Sequence, residues 1–362
     1  MKFGLSTEQR ALQDAAMEFL AEQVSLDVVR RCIGGNGETL FKVRTSLQGL
    51  GLNAIVIPED RGGLGLGLLE AALMQEAMGR YLVPFDGMGN TLMVLALNRS
   101  RDDERRDYWY ERLLKGTATF GVALSHLASV RQGNRVRCEG GRLHGRSMFT
   151  LDAPDATHFL VFDDNAGASI VEKAAGGMTV TATETIDRTR AIVTIEFSGV
   201  AAEPILASIG SDQFSGNLIS AARILTAADT LGAAQRMIEM AVQYSLERKQ
   251  FGVPIGSFQA VKHMCADMAA EVEPCRALLW YAAFVADTDL PDGPTVACLT
   301  KSRLSDVGQF VARTATEVHG GMGFTDELGL HLWFKRIGLS RQLFGGPERL
   351  RAEAASRQGW TV

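Results

Sequence analysis

The sequence predicts a mostly helical α+β fold. It has an N-terminal helical domain over residues 1–116, a small β-sheet domain over 117–207 and a C-terminal antiparallel four-helix bundle over 208–362. Three observations carry this reading. Apolar residues recur at helical spacing up to about residue 116 and again from about 208 onward. Between those stretches the period shortens to β-rich runs separated by Gly, Asp and Asn clusters. The helical runs of the last third are long and joined by short loops, which argues for antiparallel neighbours.

The elements follow in order. Ser6-Thr7-Glu8-Gln9 is a capping-box start, and Leu12, Ala15, Ala16, Phe19 and Leu20 continue it at helical spacing. The Gly- and Pro-containing loop after Ile55-Val56-Ile57 interrupts the helices, and that short β-branched run reads as an extended turn. Strand patterns occupy Thr119–Leu124, Phe159–Phe162 and Ile192–Phe197. In the last of these, Val193, Ile195 and Phe197 alternate with Thr194, Glu196 and Ser198, as a half-buried strand requires. Farther on, Phe258, Val261, Cys265, Met268, Val272, Cys275 and Leu279 step by three and four along one stripe. Val307, Val311, Thr314 and Val318 repeat the pattern on the next helix.

Composition narrows the function. With 46% hydrophobic and 22% charged residues, the 362-residue chain is an ordinary globular protein, expected in two or three domains. A net charge of −5 without a basic stretch argues against nucleic-acid binding. No apolar run approaches the roughly 20 residues of a membrane helix, and Met1–Ser6 lacks the apolar core of a signal peptide. The five cysteines, Cys32, Cys138, Cys265, Cys275 and Cys298, form no CxxC pair and no metal-like spacing with histidine. They read as reduced thiols, and the expected location is cytoplasmic with no metal centre. Gly63-Leu64-Gly65-Leu66-Gly67 is glycine-rich but follows no convincing strand, so a dinucleotide fingerprint is dismissed.

The most informative segment is Arg248-Lys249-Gln250-Phe251-Gly252-Val253-Pro254-Ile255-Gly256-Ser257-Phe258-Gln259. One helix ends beside Arg248, the chain breaks at Gly252-Val253-Pro254, and another helix starts near Ser257. A guanidinium beside a helix N-terminus suits a diphosphate, although an ordinary corner with a solvated arginine is equally consistent with spacing alone.

That segment resembles the Arg-x-x-Phe-Gly-x-x-Ile…Phe-Gln signature of the acyl-CoA dehydrogenases. Pro58-Glu59-Asp60-Arg61-Gly62-Gly63-Leu64-Gly65 resembles the family's Pro-Glu-x-x-Gly-Gly-x-Gly loop. Glu317-Val318-His319-Gly320-Gly321-Met322-Gly323-Phe324 resembles its Gln-x-x-Gly-Gly-x-Gly-Phe segment. The resemblance implies FAD held between the sheet domain, one bundle and a second subunit's bundle. It implies that Arg248 and Phe251, with Gln259 beside them, hold the diphosphate and adenine side of a neighbour's flavin. Gly320 and Gly321 would let the backbone approach the cofactor, and Glu317 replaces the family's glutamine. In the sheet domain, the family's Thr-Glu-Pro-x-x-Gly-Ser-Asp loop is shortened to Ala123–Ser129. Phe149 stands at the tryptophan-like position, leaving Ser125 and Thr150 as hydroxyls for the flavin.

The base is where the chain departs most. The resemblance implies α,β-dehydrogenation of an acyl-CoA thioester, with a carboxylate removing the α proton. The family's Tyr-Glu-Gly-Thr segment is Phe344-Gly345-Gly346-Pro347 here, so glycine stands where glutamate is expected. The second family position, one before Arg223, is Ala222. Asp229, seven residues on and on the same helical face, is one substitute, with Thr226 lining the same wall; a paired bundle residue is the alternative. Glu348 is another, though it reads more simply as a helix-start charge. Arg223 is expected to support the active site, and Thr226, Phe344 and Gly345 to line the substrate. Three readings stay open. The chain is a base-lacking subunit that completes a base-carrying homologue, a self-sufficient homo-oligomeric enzyme using Asp229, or a non-catalytic acyl-CoA- or flavin-binding protein. The first two also imply an electron-transfer acceptor protein and a dimeric or tetrameric assembly.

Overall fold

A computed structural model describes residues 4–85, 87–124, 133–154, 156–205 and 209–360. Helix α1 (Thr7–Gln23) begins as its sequence dictates. The Ser6 hydroxyl accepts from the Gln9 N–H at 3.1 Å, and the Gln9 side chain accepts from the Ser6 N–H at 2.8 Å. Helices α2 (Leu26–Ile33), α3 (Gly37–Gly49), α4 (Leu68–Arg80), α5 (Met88–Leu97) and α6 (Asp103–Leu114) follow. Ile55-Val56-Ile57 is a buried turn, and the glycine loop folds back on it, Gly63 N–H donating to Pro58 and Gly65 N–H to Ile57.

The middle segment holds β1 (Phe120–Ala123), β2 (Arg135–Glu139), β3 (Arg142–Thr150), β4 (His158–Phe162), β5 (Ala168–Glu172), β6 (Met178–Thr183), β7 (Ile192–Ala201) and β8 (Glu203–Pro204). They form two four-stranded sheets, ordered β1-β4-β5-β8 and β2-β3-β7-β6, with β1 and β4 parallel. On β7 the side chains of Val193, Ile195 and Phe197 are buried and those of Glu196 and Ser198 exposed. Their apolar face packs with Leu143, Phe159 and Val171 into a core of the sheets' own.

The chain then returns to helices: α7 (Ser211–Glu247), α8 (Gln259–Asp287), α9 (Gly293–His319), α10 (Leu330–Gln342) and α11 (Pro347–Arg357). A short hairpin of β9 (Lys249–Gln250) and β10 (Val253–Pro254) links α7 to α8. The N-terminal helices and the bundle share one hydrophobic core. Helices α4 and α7 meet at backbone distance because each presents a glycine. A Cβ on Gly79 would lie 2.1 Å from the Asp229 carbonyl oxygen, and one on Gly232 would lie 1.8 Å from that of Glu76. The α8 stripe is buried at Met268, Val272, Cys275 and Leu279, whereas its first members, Phe258, Val261 and Cys265, remain partly exposed. Among the described residues no helix is long and apolar enough to cross a membrane.

Candidate active site

The turn between α7 and α8 gathers the first group of residues. Phe251 and Gly252 occupy the two central turn positions with φ of +52° and +82°, the geometry of a tight hairpin, between the paired residues Gln250 and Val253. A positive φ at a phenylalanine is a strained conformation, and here it turns the ring outward, leaving it 93% exposed. Arg248, the C-cap of α7, is exposed, and its guanidinium has no partner among the described residues. Gln259 opens α8, whose N-cap, Phe258, supplies no side-chain cap. The first N–H groups of this 29-residue helix therefore receive no side-chain cap from that residue.

The α9 end adds to this exposed zone. Glu317 is exposed, Gly320 adopts φ +58°, and a Cβ on Gly320 or Gly321 would meet nothing within 4 Å. Met322 and Phe324 extend the apolar exposure. The Tyr244 and His319 rings stack with centroids 4.7 Å apart, so the end of α9 lies beside the end of α7.

Of the two hydroxyls the sequence suggested on the sheet side, only that of Thr150 falls among the described residues. Ser125 lies outside the described residues. Thr150 is fully buried, and its Oγ1 has no hydrogen-bond partner among the described residues. The β3–β7 register shifts between Ser147 and Thr150, which rephases the strand there. Phe149 sits in that irregular stretch at φ +57°, half-buried and packed against the main core.

At the expected base positions the chain is sealed. Ala222 and Thr226 are fully buried, and the Thr226 hydroxyl donates to the Ala222 carbonyl at 2.7 Å and lies 3.9 Å from Met88 Sδ. Phe344 is 3% exposed, with φ +56°. Gly345 has φ +110°, a conformation that side-chain-bearing residues rarely adopt. A Cβ built on it lies 3.1 Å from Leu350 Cδ2 and 4.0 Å from Arg223 Nη2. The backbone itself has taken a glycine-only path where a glutamate is expected. Thr226, Phe344 and Gly345 thus form a wall closed to solvent, contrary to their expected role in lining a substrate.

Asp229 is not poised as a base either. It is completely buried and receives Arg336 Nε at 3.0 and 3.1 Å and Arg336 Nη2 at 2.6 Å, with Gln75 at 3.4 Å. Burial pushes its carboxyl up, but the Arg336 and Arg190 cations outweigh this and hold it below the usual aspartate range. A proton acceptor for a weakly acidic carbon needs the opposite shift. Arg336 also donates to the Val83 carbonyl at 2.7 Å and to Thr189 Oγ1 at 3.1 Å. One buried guanidinium therefore ties α10 to α7, to the segment after α4 and to the loop before β7.

Arg223 has a comparable post. Its Nε donates to the Phe344 carbonyl at 3.1 Å, and its other nitrogens reach Glu353 at 2.7 and 3.0 Å and Cys298 Sγ at 3.0 Å. Burial raises the Glu353 carboxyl, yet the Arg223 and Arg357 contacts bring it down to about 2. Lys301, wholly buried, donates to the Ser340 carbonyl at 2.7 Å, and burial among cations lowers its amine to about 7. Glu348 pairs with Arg341 at 3.0 Å near the start of α11. Sequence reasoning missed Arg336, Glu353 and Lys301. Each acts across more than thirty residues of chain, and no local pattern announces the partner.

Comparison with known proteins completes the picture. A family model described as the acyl-CoA dehydrogenase N-terminal domain matches residues 6–117, and one for the C-terminal domain matches residues 210–358. The chain is 31% identical to acyl-CoA dehydrogenase IpdE2 of Mycobacterium tuberculosis over 353 residues, covering 95% of each chain. It is 27% identical to (R)-benzylsuccinyl-CoA dehydrogenase of Thauera aromatica, over 99% of this chain and 97% of that one. Among solved structures, a variant of the Tcur3481-Tcur3483 steroid ACAD superposes with a TM-score of 0.87 at 26% identity, covering 97% of this chain and 98% of the other. Butyryl-CoA dehydrogenase from Megasphaera elsdenii shares the fold, with a TM-score of 0.86 at 21% identity and coverage of 99% and 100%. With a three-part helix–sheet–bundle fold, both terminal domains matched and a near full-length relative above 30% identity, this chain belongs to the acyl-CoA dehydrogenase family.

Proposed function

We propose that this chain is the base-lacking subunit of a heteromeric, FAD-dependent acyl-CoA dehydrogenase. The observation that carries this reading is Gly345. Its φ of +110° strains any side-chain-bearing residue there and a Cβ would press on Leu350 at 3.1 Å, while Ala222 fills the other position with a buried methyl. The carboxylate nearest Ala222 in sequence, Asp229, is committed to Arg336, and Glu348, the one nearest Gly345, pairs with Arg341.

What the chain retains is the half-site that faces outward. Arg248 would pair with a flavin diphosphate seated mainly in a partner subunit, and the uncapped start of α8 would add backbone N–H groups. Phe251 would lay its ring against the same cofactor, and Gly320-Gly321 would admit its close approach. When bound, FAD supplies the acceptor for the hydride that leaves the β carbon. The α proton would pass to a carboxylate of a base-carrying homologue. Arg223, through the Phe344 carbonyl, would keep the 343–346 loop fixed beneath that assembly. Such an enzyme delivers its electrons to a separate acceptor protein.

The test is co-expression with a homologue that carries glutamate at the base position. Bound flavin should be bleached by acyl-CoA only in the mixed assembly. Replacing the homologue's base with glutamine should abolish bleaching. Bleaching by this chain alone would refute the reading, and a mixed assembly that binds flavin without ever reducing it would reduce the chain to a binding protein.

A further inference from the structure

A cavity of about 330 Å³ lies away from all the residues discussed above as flavin or acyl contacts, where the three parts of the fold meet. Its walls come from α2 (Arg30, Ile33), the loop before β7 (Ile186, Arg188) and the first turns of α10 (His331, Lys335). Three cations converge there. Arg30 is held in place, its Nη2 donating to the Asp326 and Glu327 carbonyls and its Nη1 lying 3.3 Å from Asp27. Arg188 is exposed and, among the described residues, donates only to the Ile33 carbonyl, at 3.3 Å. Lys335 is half-buried, and its amine has no partner among the described residues.

Asp27 pairs with Arg30, but among the described residues no carboxylate pairs with Arg188 or Lys335. Asp187 is buried and spent, accepting from the Thr189 N–H at 2.8 Å, from Thr189 Oγ1 at 2.6 Å and from Arg190 Nε at 2.9 Å. Asp326 pairs with His331 Nε2 at 2.8 Å, and its side chain is 99% exposed, where water screens it. His331 Nδ1 is buried without a partner. Cations gathered at one cavity repel one another, and a multivalent anion relieves that repulsion while taking several N–H donors at once. Ile186, 63% exposed at the rim, adds an apolar edge.

We propose that this three-way junction is a binding site for a phosphate group, free or as a small phosphomonoester, held by Arg188, Lys335 and Arg30. Occupation would tie the N-terminal helices, the sheet segment and the bundle together. It would therefore stabilise the folded chain whether or not flavin is present.

The probes are inorganic phosphate and phenyl phosphate, added to the purified full chain at constant ionic strength set with sodium chloride. The expected result is a saturable rise in the unfolding midpoint with phosphate that chloride does not produce. A larger rise with phenyl phosphate assigns the site to esters, and an equal or smaller one to the free ion. Arg188→Gln and Lys335→Gln, made separately and together, should each weaken phosphate binding at least tenfold, and Lys335→Arg should retain it. The phosphate-free midpoint of each variant reports whether it folds, and both side chains reach the cavity from outside the core. A rise that never saturates, or one that survives in the double variant, means non-specific ion binding and overturns the proposal.

Discussion

Replacing Asp229 with Asn separates a structural carboxylate from a catalytic one. The carboxyl and the Arg336 guanidinium are both completely buried, joined by contacts of 2.6, 3.0 and 3.1 Å. Asparagine keeps the shape but removes the charge, leaving Arg336 buried with the Arg190 cation also acting on the same site. Breaking a buried pair from one side destabilises by roughly 3–5 kcal/mol. Because Arg336 keeps its bonds to Val83 and Thr189, the lower end of that range, about 3 kcal/mol, is expected. The assay is urea unfolding followed by tryptophan fluorescence, comparing midpoints at equal slope. A second variant, Asp229→Asn with Arg336→Met, should recover part of the loss because no lone charge remains. In the mixed assembly, whatever Asp229→Asn protein folds should still support flavin reduction. An unchanged midpoint together with abolished reduction would refute the reasoning and restore Asp229 as the base.

Other expectations follow from the same contacts. Arg248→Ala should leave the chain's unfolding midpoint unchanged, since the side chain is exposed and unpartnered, yet lower the flavin content of the assembly, measured by absorbance after gel filtration. Gly345→Glu should destabilise by roughly 1–3 kcal/mol through its left-handed φ and should not create acyl-CoA-dependent bleaching, read in the same two assays. The Glu353 carboxyl is depressed from 4.5 to about 2, so its pair with Arg223 contributes above pH 4.5 and is lost as the pH falls toward 2. With a quarter of that carboxylate exposed, the loss should amount to about 1–3 kcal/mol, and Glu353→Gln should flatten that part of the acid-unfolding curve. Lys301 is lowered from 10.5 to about 7, so the unfolded chain binds the extra proton between those values and stability should climb with pH across that range. Lys301→Met should remove that climb.

What the sequence made legible was local. The Ser6–Gln9 cap, the alternation of β7 and the break after Arg248 each depend on neighbours a few residues apart, and each appears where its residues put it. The turn chemistry at Phe251-Gly252 even explains why an aromatic ring faces solvent. Long-range pairing was not legible. Helical spacing placed Asp229 on the face of Ala222, but its role is set by Arg336, 107 residues away, and nothing in the spacing names that partner. Arg223 likewise gains its meaning from Glu353, 130 residues on. The resemblance placed Thr150 at the cofactor, but it does not reveal the register shift between Ser147 and Thr150. That Gly345 and Ala222 stand where the resemblance places a base could be read directly, whereas the backbone conformation at Gly345 required coordinates.

The first residues of the α8 stripe show the boundary between the two kinds of information. Phe258, Val261 and Cys265 follow the same spacing as Met268 and Leu279, yet they remain partly open beside the exposed ring of Phe251. Under the proposed assembly, that partly open apolar surface is one that another subunit would cover.

The visible spectrum under acyl-CoA titration tests the account most directly. This chain should show no acyl-CoA-dependent bleaching of the flavin band by itself, and full bleaching once joined to a homologue bearing the glutamate. Bleaching of flavin on the isolated chain, undiminished in the Arg248→Ala variant, would contradict both its missing base and the role given to its hairpin.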